Sequence, residues 1–125
     1  DEDKPKVFGL NTLNNDQTVY VTEGPFDSLL LKNAIAMAGA DLSNYRPDSG
    51  RLVYVYDNEP RNSSICNRIK ERIDSGDNVV IWPKDIIEKD INDMVLAGHD
   101  VQNMVESNTY SGLAATLKYK EWTKV

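Results

Sequence analysis

Two short apolar runs, each rich in β-branched and aromatic residues and each followed at once by acidic side chains, constrain the fold of this chain most. The runs occupy residues 18–22 and 52–56, and the acidic groups behind them are residues 23–27 (Glu-Gly-Pro-Phe-Asp) and 57–59 (Asp-Asn-Glu). Runs of this composition predict buried β-strands. Because ligands of open α/β sheets bind outside the carboxyl ends of the strands, both acidic groups are predicted to face one crevice.

The rest of the chain alternates between strand and helix patterns. Further strands are predicted over residues 34–38 and 79–82, and a short edge strand over 7–10. Helices are predicted over residues 26–32, 61–74, 91–97, 101–107 and 111–120, and a short helix before a loop within 40–50. Such alternation predicts an α/β fold with a mainly parallel central sheet flanked by helices and a helical C-terminal third.

The helix predicted over 61–74 has an apolar stripe, which should pack on the sheet. The stripe consists of Ile65, Cys66, Ile69 and Ile73. Beside it, three arginines share a second face: Arg61, Arg68 and Arg72. These arginines could contact nucleic-acid or nucleotide phosphates, although a solvated basic edge is the favoured interpretation.

Composition limits the classes of protein and of site. A length of 125 residues suits one domain over residues 1–125. The single Cys66 excludes an internal disulfide, and with the single His99 it sets aside zinc held by Cys and His. Both residues are interpreted as structural. No apolar run approaches the roughly 20 residues of a membrane span. The net charge of −6 predicts weak general affinity for nucleic acid unless a metal neutralises the acidic site.

Asp57 and Glu59 are the first candidate metal ligands. If the strand stays extended through them, both side chains point to the same side, and Pro60 favours an extended backbone at Glu59. Two hard oxygen donors would form half of a Mg²⁺ site, completed by water and a substrate phosphate. The alternative is an acidic, solvated loop after a strand.

Glu23 and Asp27 form a second acidic pair, four residues apart and therefore one helical turn from each other. Gly24 between them permits close approach of the backbone or of a ligand. Both carboxylates could face the same crevice as Asp57. Alternatively, Asp27 is a cap of the helix that follows.

A third acidic signature lies in residues 89–93 (Lys-Asp-Ile-Asn-Asp). Asp90 and Asp93 are three residues apart at a predicted helix start, so that they share a face, and Lys89 lies beside them. Helix capping and compensation of the helix dipole explain such residues equally well. The pair Lys84-Asp85 lies closer to the strand end, and spacing alone does not choose between it and Lys89-Asp90.

The three signatures together resemble the toprim domain, the catalytic module of primases, of type IA and type II topoisomerases and of small nucleases. Longer stretches are similar to the DNA primases of T-even-type bacteriophages. These stretches are residues 7–10, 23–29, 54–62, 89–98 and 108–122. The resemblance covers nearly the whole chain and implies a Rossmann-like toprim fold. It also implies that the chain is a fragment or the C-terminal part of a larger primase.

The resemblance implies a role for particular residues. The metal-binding positions would be Glu23, Asp27, Asp57, Glu59 and Asp90. Of these, Glu23, Asp57 and Glu59 would be catalytic. Glu59 replaces the usual aspartate and adds one methylene of reach. The resemblance also selects Lys89-Asp90 over Lys84-Asp85, and Lys89 would offset charge or contact phosphate.

The implied activity is Mg²⁺-dependent nucleotidyl transfer, with Mn²⁺ as a substitute: synthesis of RNA primers from ribonucleoside triphosphates on a single-stranded DNA template. The implied partner is the replicative helicase, and the implied location is the cytoplasm of a phage-infected bacterium, with no membrane association. Without a zinc-binding domain and the rest of the polymerase region, the isolated chain is expected to make no primers. The alternatives are a stand-alone toprim nuclease and a non-catalytic module that binds DNA or a helicase. A phospho-receiver domain fits less well, because Glu23 is followed by Gly24-Pro25.

The tail interleaves basic and aromatic residues, as single-strand binders do. These residues are Lys118, Tyr119, Lys120, Trp122 and Lys124. Leu113, Leu117 and Trp122 could instead dock the last helix on the sheet, and docking is the favoured interpretation.

Overall fold

Five strands form the central sheet of the computed structural model, which describes residues 13–37 and 47–125. The strands are β1 (Val19–Thr22), β2 (Ala34–Ala36), β3 (Leu52–Val55), β4 (Asn78–Val80) and β5 (Thr109–Tyr110). Their order in the sheet is β2-β1-β3-β4-β5. The pairs β1–β2, β1–β3 and β3–β4 are parallel, and β5 is antiparallel to β4. The predicted α/β fold with a mainly parallel sheet is therefore confirmed.

Five helices connect and cover these strands within the same described ranges. They are α1 (Pro25–Leu29), α2 (Ser63–Asp74), α3 (Ile91–Leu96), α4 (Val101–Ser107) and α5 (Gly112–Trp122). The helical C-terminal third is thereby confirmed. No helix in the described ranges combines the length and the apolar character that crossing a membrane requires.

The middle of the sheet is buried on both faces, which explains why its strands read as continuous apolar runs. All four residues of β1 are buried, including Thr22. In the register of the sheet, Tyr20 lies between Ala34 of β2 and Val53 of β3. Thr22 and Val55 are paired in the same way, so that β1 and β3 end side by side at one edge.

The apolar stripe of α2 is buried as predicted: Ile65, Cys66, Ile69 and Ile73 all belong to the core. Asn62 caps the helix, since its side-chain oxygen accepts a hydrogen bond from the amide of Ile65 at 3.1 Å. The helix ends before Gly76, whose φ of +82° lies in the left-handed region that glycine tolerates. One long helix is thus fixed at both ends and along its length.

The helix predicted over 26–32 is shorter in the structure and ends at Leu29. Asn33 has a left-handed φ of +55°, a conformation that asparagine adopts more readily than most residues. Its side-chain amide donates to the carbonyl oxygens of Asn14 and Thr18 at 2.8 and 2.9 Å. These bonds hold the turn that carries the chain into β2. The predicted elements over 7–10 and 40–46 lie outside the described residues.

The strand β5 was not predicted, because two residues are too few to show a pattern of their own. It is held from both sides: the amide of Ile81 donates to the carbonyl oxygen of Asn108 at 3.0 Å. The hydroxyl of Thr109 donates to the carbonyl oxygen of Val105 at 2.6 Å. An antiparallel strand at the edge of an otherwise parallel sheet is a common arrangement.

The last helix docks, although not through all the residues predicted for it. Trp122 is buried, and α5 contacts α2. The docking of Leu113 and Leu117 was wrong, since these side chains are 75% and 55% exposed. The small side chain of Ala115 is buried instead, which lets the helix approach its neighbours closely.

Candidate active site at the carboxyl edge of the sheet

Asp57 lies two residues beyond β3, at the edge where β1 and β3 end. Partial burial, and then the charges of four neighbouring carboxylates, together raise the pKa of Asp57 to about 6. In decreasing order of effect, these neighbours are Asp27, Glu59, Asp90 and Glu23. The structure therefore brings all five predicted acidic residues within electrostatic reach of one side chain, and we call these five the acidic cluster.

Asp27 lies in the first turn of α1 and is half-buried. Burial, and then the charge of Asp90, raises the pKa of Asp27 above its ordinary value. The alternative that Asp27 caps the helix is wrong, because the N-cap is Gly24 and its helix end has no side-chain cap hydrogen bond. Asp27 thus faces the same negative surroundings as Asp57.

Glu23, directly after β1, forms an ion pair with Arg68 of α2. Both side chains are 46% exposed, so water partly screens this pair. Arg68 also donates to the hydroxyl of Ser64 at 3.1 Å, which orients its guanidinium. On the side that faces α2, the guanidinium of Arg68 therefore offsets part of the negative charge of the acidic cluster.

Asp90 is the N-cap of α3, and one of its oxygens accepts the amide of Asp93 at 2.8 Å. The capping interpretation is thus observed, but it uses a single oxygen of the carboxylate. Asp93 is exposed. Asp85 lies in a turn. Among the described residues, it is not one of the charges that shift the pKa of Asp57.

Glu59 does not extend β3, so the condition stated for Asp57 and Glu59, a strand that stays extended through both residues, is not met. The strand ends at Val55, and the amide of Glu59 donates to the carbonyl oxygen of Asp57 at 3.0 Å. A hydrogen bond between residues two apart closes a tight turn, as often occurs where a strand ends. The turn, and not the pleat of a strand, sets the relative positions of the two carboxylates.

Asn58, between them, is the residue that sequence reasoning missed. It is only 6% exposed, and its side-chain amide donates to the carbonyl oxygens of Ile86 and Glu88 at 2.9 and 3.0 Å. Its own backbone amide donates to the carbonyl oxygen of Lys89 at 2.6 Å. Asn58 thereby fastens the segment that leads into Asp90 to the loop that carries Asp57. An amide between two acidic residues after a buried strand was the available signal.

Both tryptophans bond to the loop that carries Asp57. The indole N–H of Trp122 donates to the side-chain oxygen of Asn58 at 2.8 Å. The indole N–H of Trp82 donates to the carbonyl oxygen of Tyr56 at 2.8 Å. The residues before and after Asp57 are therefore each fixed by a buried aromatic donor.

The segment before Asp90 has one further attachment. His99 contacts the carboxylate of Glu88 at 2.8 Å. Lys89 is exposed, and its carbonyl oxygen takes part in the bond with Asn58. The end of α3 and the segment 86–89 are thus tied together.

The three arginines do not share one helical face, because Arg61 precedes α2. Arg72 is held by the protein: its Nε donates to the hydroxyl of Tyr56 at 3.1 Å, and its guanidinium lies 4.0 Å from the ring centre of Tyr54. It also pairs with Asp77 at 3.6 Å. Arg72 therefore stabilises the sheet-facing side of α2, whereas Arg61 is exposed.

The donors of the acidic cluster match a hard divalent cation in kind, since all are carboxylate oxygens. After burial, the charges of the neighbouring carboxylates raise the pKa of Asp57, and such a cation would relieve this repulsion. Within residues 13–37 and 47–125, however, no group of three or more His, Cys, Asp or Glu side chains is arranged to hold a metal ion. Binding would require side-chain movements, and Glu23 would serve as a ligand only after release from Arg68.

Comparison with known proteins gives one informative similarity. No protein-family model matches the chain. The chain is 33% identical to the DNA primase of Enterobacteria phage T4 over 126 residues, which are 96% of this chain and 36% of that protein. It thus spans about a third of the length of the curated relative it matches. The predicted resemblance to T-even phage primases is confirmed: over almost its whole length, this chain is similar to part of a phage DNA primase.

Proposed function

We propose that this chain is a toprim-type catalytic domain of a phage DNA primase and that it supports metal-dependent nucleotidyl transfer. The observation that carries the proposal is the convergence of four carboxylates on Asp57 at the carboxyl edge of the sheet. The similarity to T4 DNA primase supports the choice of reaction among those that a metal site of this kind can perform. The substrates would be ribonucleoside triphosphates and a single-stranded DNA template, and the partner would be the replicative helicase.

Asp57, Glu59 and Asp90 would hold Mg²⁺ or Mn²⁺, with Asp27 and Glu23 completing the site or lying behind it. When bound, the cation supplies neutralisation of phosphate charge and alignment for in-line displacement. Asp57 must lose its proton to act as a ligand, so its affinity for metal falls as the pH drops below its pKa of about 6.

The other residues of the site position these ligands. Asn58 holds the segment before Asp90, and the cap bond to Asp93 fixes the orientation of Asp90 itself. Arg68 would balance the charge of Glu23 as long as that carboxylate does not bind the metal. The chain by itself is expected to bind metal but to make no primers.

Titration with Mn²⁺, followed by electron paramagnetic resonance of the unbound ion, tests the proposal. We expect one or two ions to bind at the acidic cluster and Asp57→Asn to weaken binding about tenfold or more, because a charged oxygen ligand is lost. The matched control is Asp74→Asn, which removes the same charge from the exposed end of α2. It should leave the affinity within about twofold.

Equal affinities of the wild type and Asp57→Asn would refute the metal site. Primer synthesis should be assayed in a complete primase that carries this domain. There, Asp57→Asn should abolish it. Incubation of the chain with labelled DNA and RNA in Mn²⁺ covers the other reaction. Cleavage that depends on Asp57 would favour a stand-alone nuclease over a primase.

A further inference from the structure

A groove of about 620 Å³ lies beside the acidic cluster, on the far side of Glu59. Its walls come from the turn after β3, from the segment after β4 and from the C-terminal end of the chain. Its lining includes Glu59, Arg61, Lys84, Ile86, Ile87 and Lys124. We call it the basic groove.

The walls of the basic groove are fixed by hydrogen bonds. The amide of Lys124 donates to the carbonyl oxygen of Pro60 at 2.8 Å, which joins the C-terminal wall to the turn. The side chain of Asn58 donates to the carbonyl oxygen of Ile86 at 2.9 Å, which joins the turn to the opposite wall. The groove is therefore largely preformed, as ligand sites usually are.

The charge of the groove is opposite to that of the chain. Three cationic side chains, Arg61, Lys84 and Lys124, and one carboxylate, Glu59, line it in a chain of net charge −6. Within residues 13–37 and 47–125, none of these three cations takes part in an ion pair. Unpaired cations gathered in a concave surface attract a compact anion.

The size and the apolar edge of the groove indicate what kind of anion fits. Its volume lies within the roughly 300–1,000 Å³ of small-molecule sites. Ile87 is 87% exposed at the rim, and Ile86 is half-buried behind it. A ligand with several phosphates at one end and a flat, apolar ring at the other would satisfy both the cations and this edge.

We propose that the basic groove binds the polyphosphate of a nucleoside triphosphate, with Arg61, Lys84 and Lys124 contacting phosphate oxygens. Lys84 thereby acquires a role that the sequence did not assign to it. The proposal rests on the proposed function for its choice of nucleotide, because Glu59 belongs both to the groove and to the acidic cluster. Binding through cations requires no metal, and so the groove is testable separately from the metal site.

The experiment is calorimetric titration of the chain with inorganic triphosphate and with ATP, in EDTA and at low ionic strength. Lys84→Gln and Lys124→Gln should each weaken both ligands roughly threefold to tenfold, since each removes a charged hydrogen-bond donor. The matched control is Lys70→Gln on α2, which removes one positive charge at an exposed position far along the helix from the groove. The control should change the affinity by less than about twofold.

Each other outcome overturns the proposal. An equal loss in all three variants would show attraction to the overall charge and no groove. Tighter binding of a single-stranded oligonucleotide, with the same dependence on Lys84 and Lys124, would make the groove a track for a strand. Loss of triphosphate binding in neither groove variant would refute the contacts outright.

Asp57→Asn separates this proposal from the proposed function. It should lose Mn²⁺ but keep triphosphate binding in EDTA, because the groove does not include Asp57. Triphosphate binding without any Mn²⁺ site would refute the metal-dependent function and still support the proposal for the basic groove. A Mn²⁺ site with triphosphate binding insensitive to Lys84 and Lys124 would do the reverse.

Discussion

At the scale of the residue, Asp57 lies among the other four carboxylates of the acidic cluster, and its raised pKa predicts how stability changes with pH. Its pKa rises from 3.8 to about 6 on folding. The folded protein therefore binds more protons at this group than the unfolded chain does at pH values between these limits. The stability that the protonated form contributes is present below about pH 4 and is lost as the pH rises through 6.

Removal of this charge should stabilise the metal-free protein at neutral pH. We expect Asp57→Asn to raise the free energy of unfolding by about 1 kcal/mol, a value reduced for the partial exposure of the group. The gain should shrink toward zero near pH 4, since wild-type Asp57 is then protonated as well. Urea denaturation followed by circular dichroism in EDTA measures it, with Asp74→Asn as the control. A loss of stability at neutral pH would contradict this account of Asp57.

At the scale of the element, the parts predictable from sequence were those with repeating patterns. The apolar stripe of α2 and the apolar runs of β1 and β3 could be recognised in the sequence, because burial is periodic in helices and continuous in central parallel strands. The turn at residues 57–59 was not predictable, since a single backbone hydrogen bond from Glu59 decides it. Nor was β5, which exists only through its pairing with β4.

The clustering of the acidic residues was predictable from the predicted parallel sheet. Carboxylates that follow parallel strands arrive at one edge, and the structure gathers the other four around Asp57. The role of Asn58 was not predictable, because its hydrogen-bond partners are distant in sequence. They are the backbone carbonyl oxygens of Ile86 and Glu88 and the indole N–H of Trp122. Polar anchors of this kind become visible only in three dimensions.

Asn58 connects three elements, so its replacement should be costly. Asn58→Ala leaves the indole of Trp122 and the carbonyl oxygens of Ile86 and Glu88 without this partner. We expect a loss of about 2–4 kcal/mol in the free energy of unfolding, measured by urea denaturation. The matched control Asn67→Ala, at an exposed position of α2, should be neutral or slightly stabilising. A loss no larger than that of the control would show that Asn58 is not an anchor.

At the scale of the whole molecule, negative charge is concentrated at one edge while the adjoining groove is basic. A cation that binds the folded state alone stabilises it in proportion to the logarithm of its concentration over the dissociation constant. If the acidic cluster binds a metal as proposed, thermal stability depends on the concentration of that metal as well as on the core.

Addition of Mn²⁺ at ten times its dissociation constant should stabilise the wild-type chain by about 1.4 kcal/mol and raise its Tm by about 5 °C. Asp57→Asn should start higher than the wild type without metal and gain almost nothing when metal is added. Differential scanning calorimetry at constant ionic strength checks both statements. A similar rise in both proteins would assign the effect to cations on the general surface.

The two buried indoles beside Asp57 have an optical consequence. Trp82 and Trp122 are the two tryptophans of the chain, and their N–H groups bond to Tyr56 and Asn58, the neighbours of Asp57 on either side. Indole emission shifts to longer wavelengths when its N–H exchanges a protein acceptor for water. Any ligand that displaces the loop will therefore change the intrinsic fluorescence of the protein. The acidic edge carries its own pair of fluorophores, and no label has to be attached to observe it.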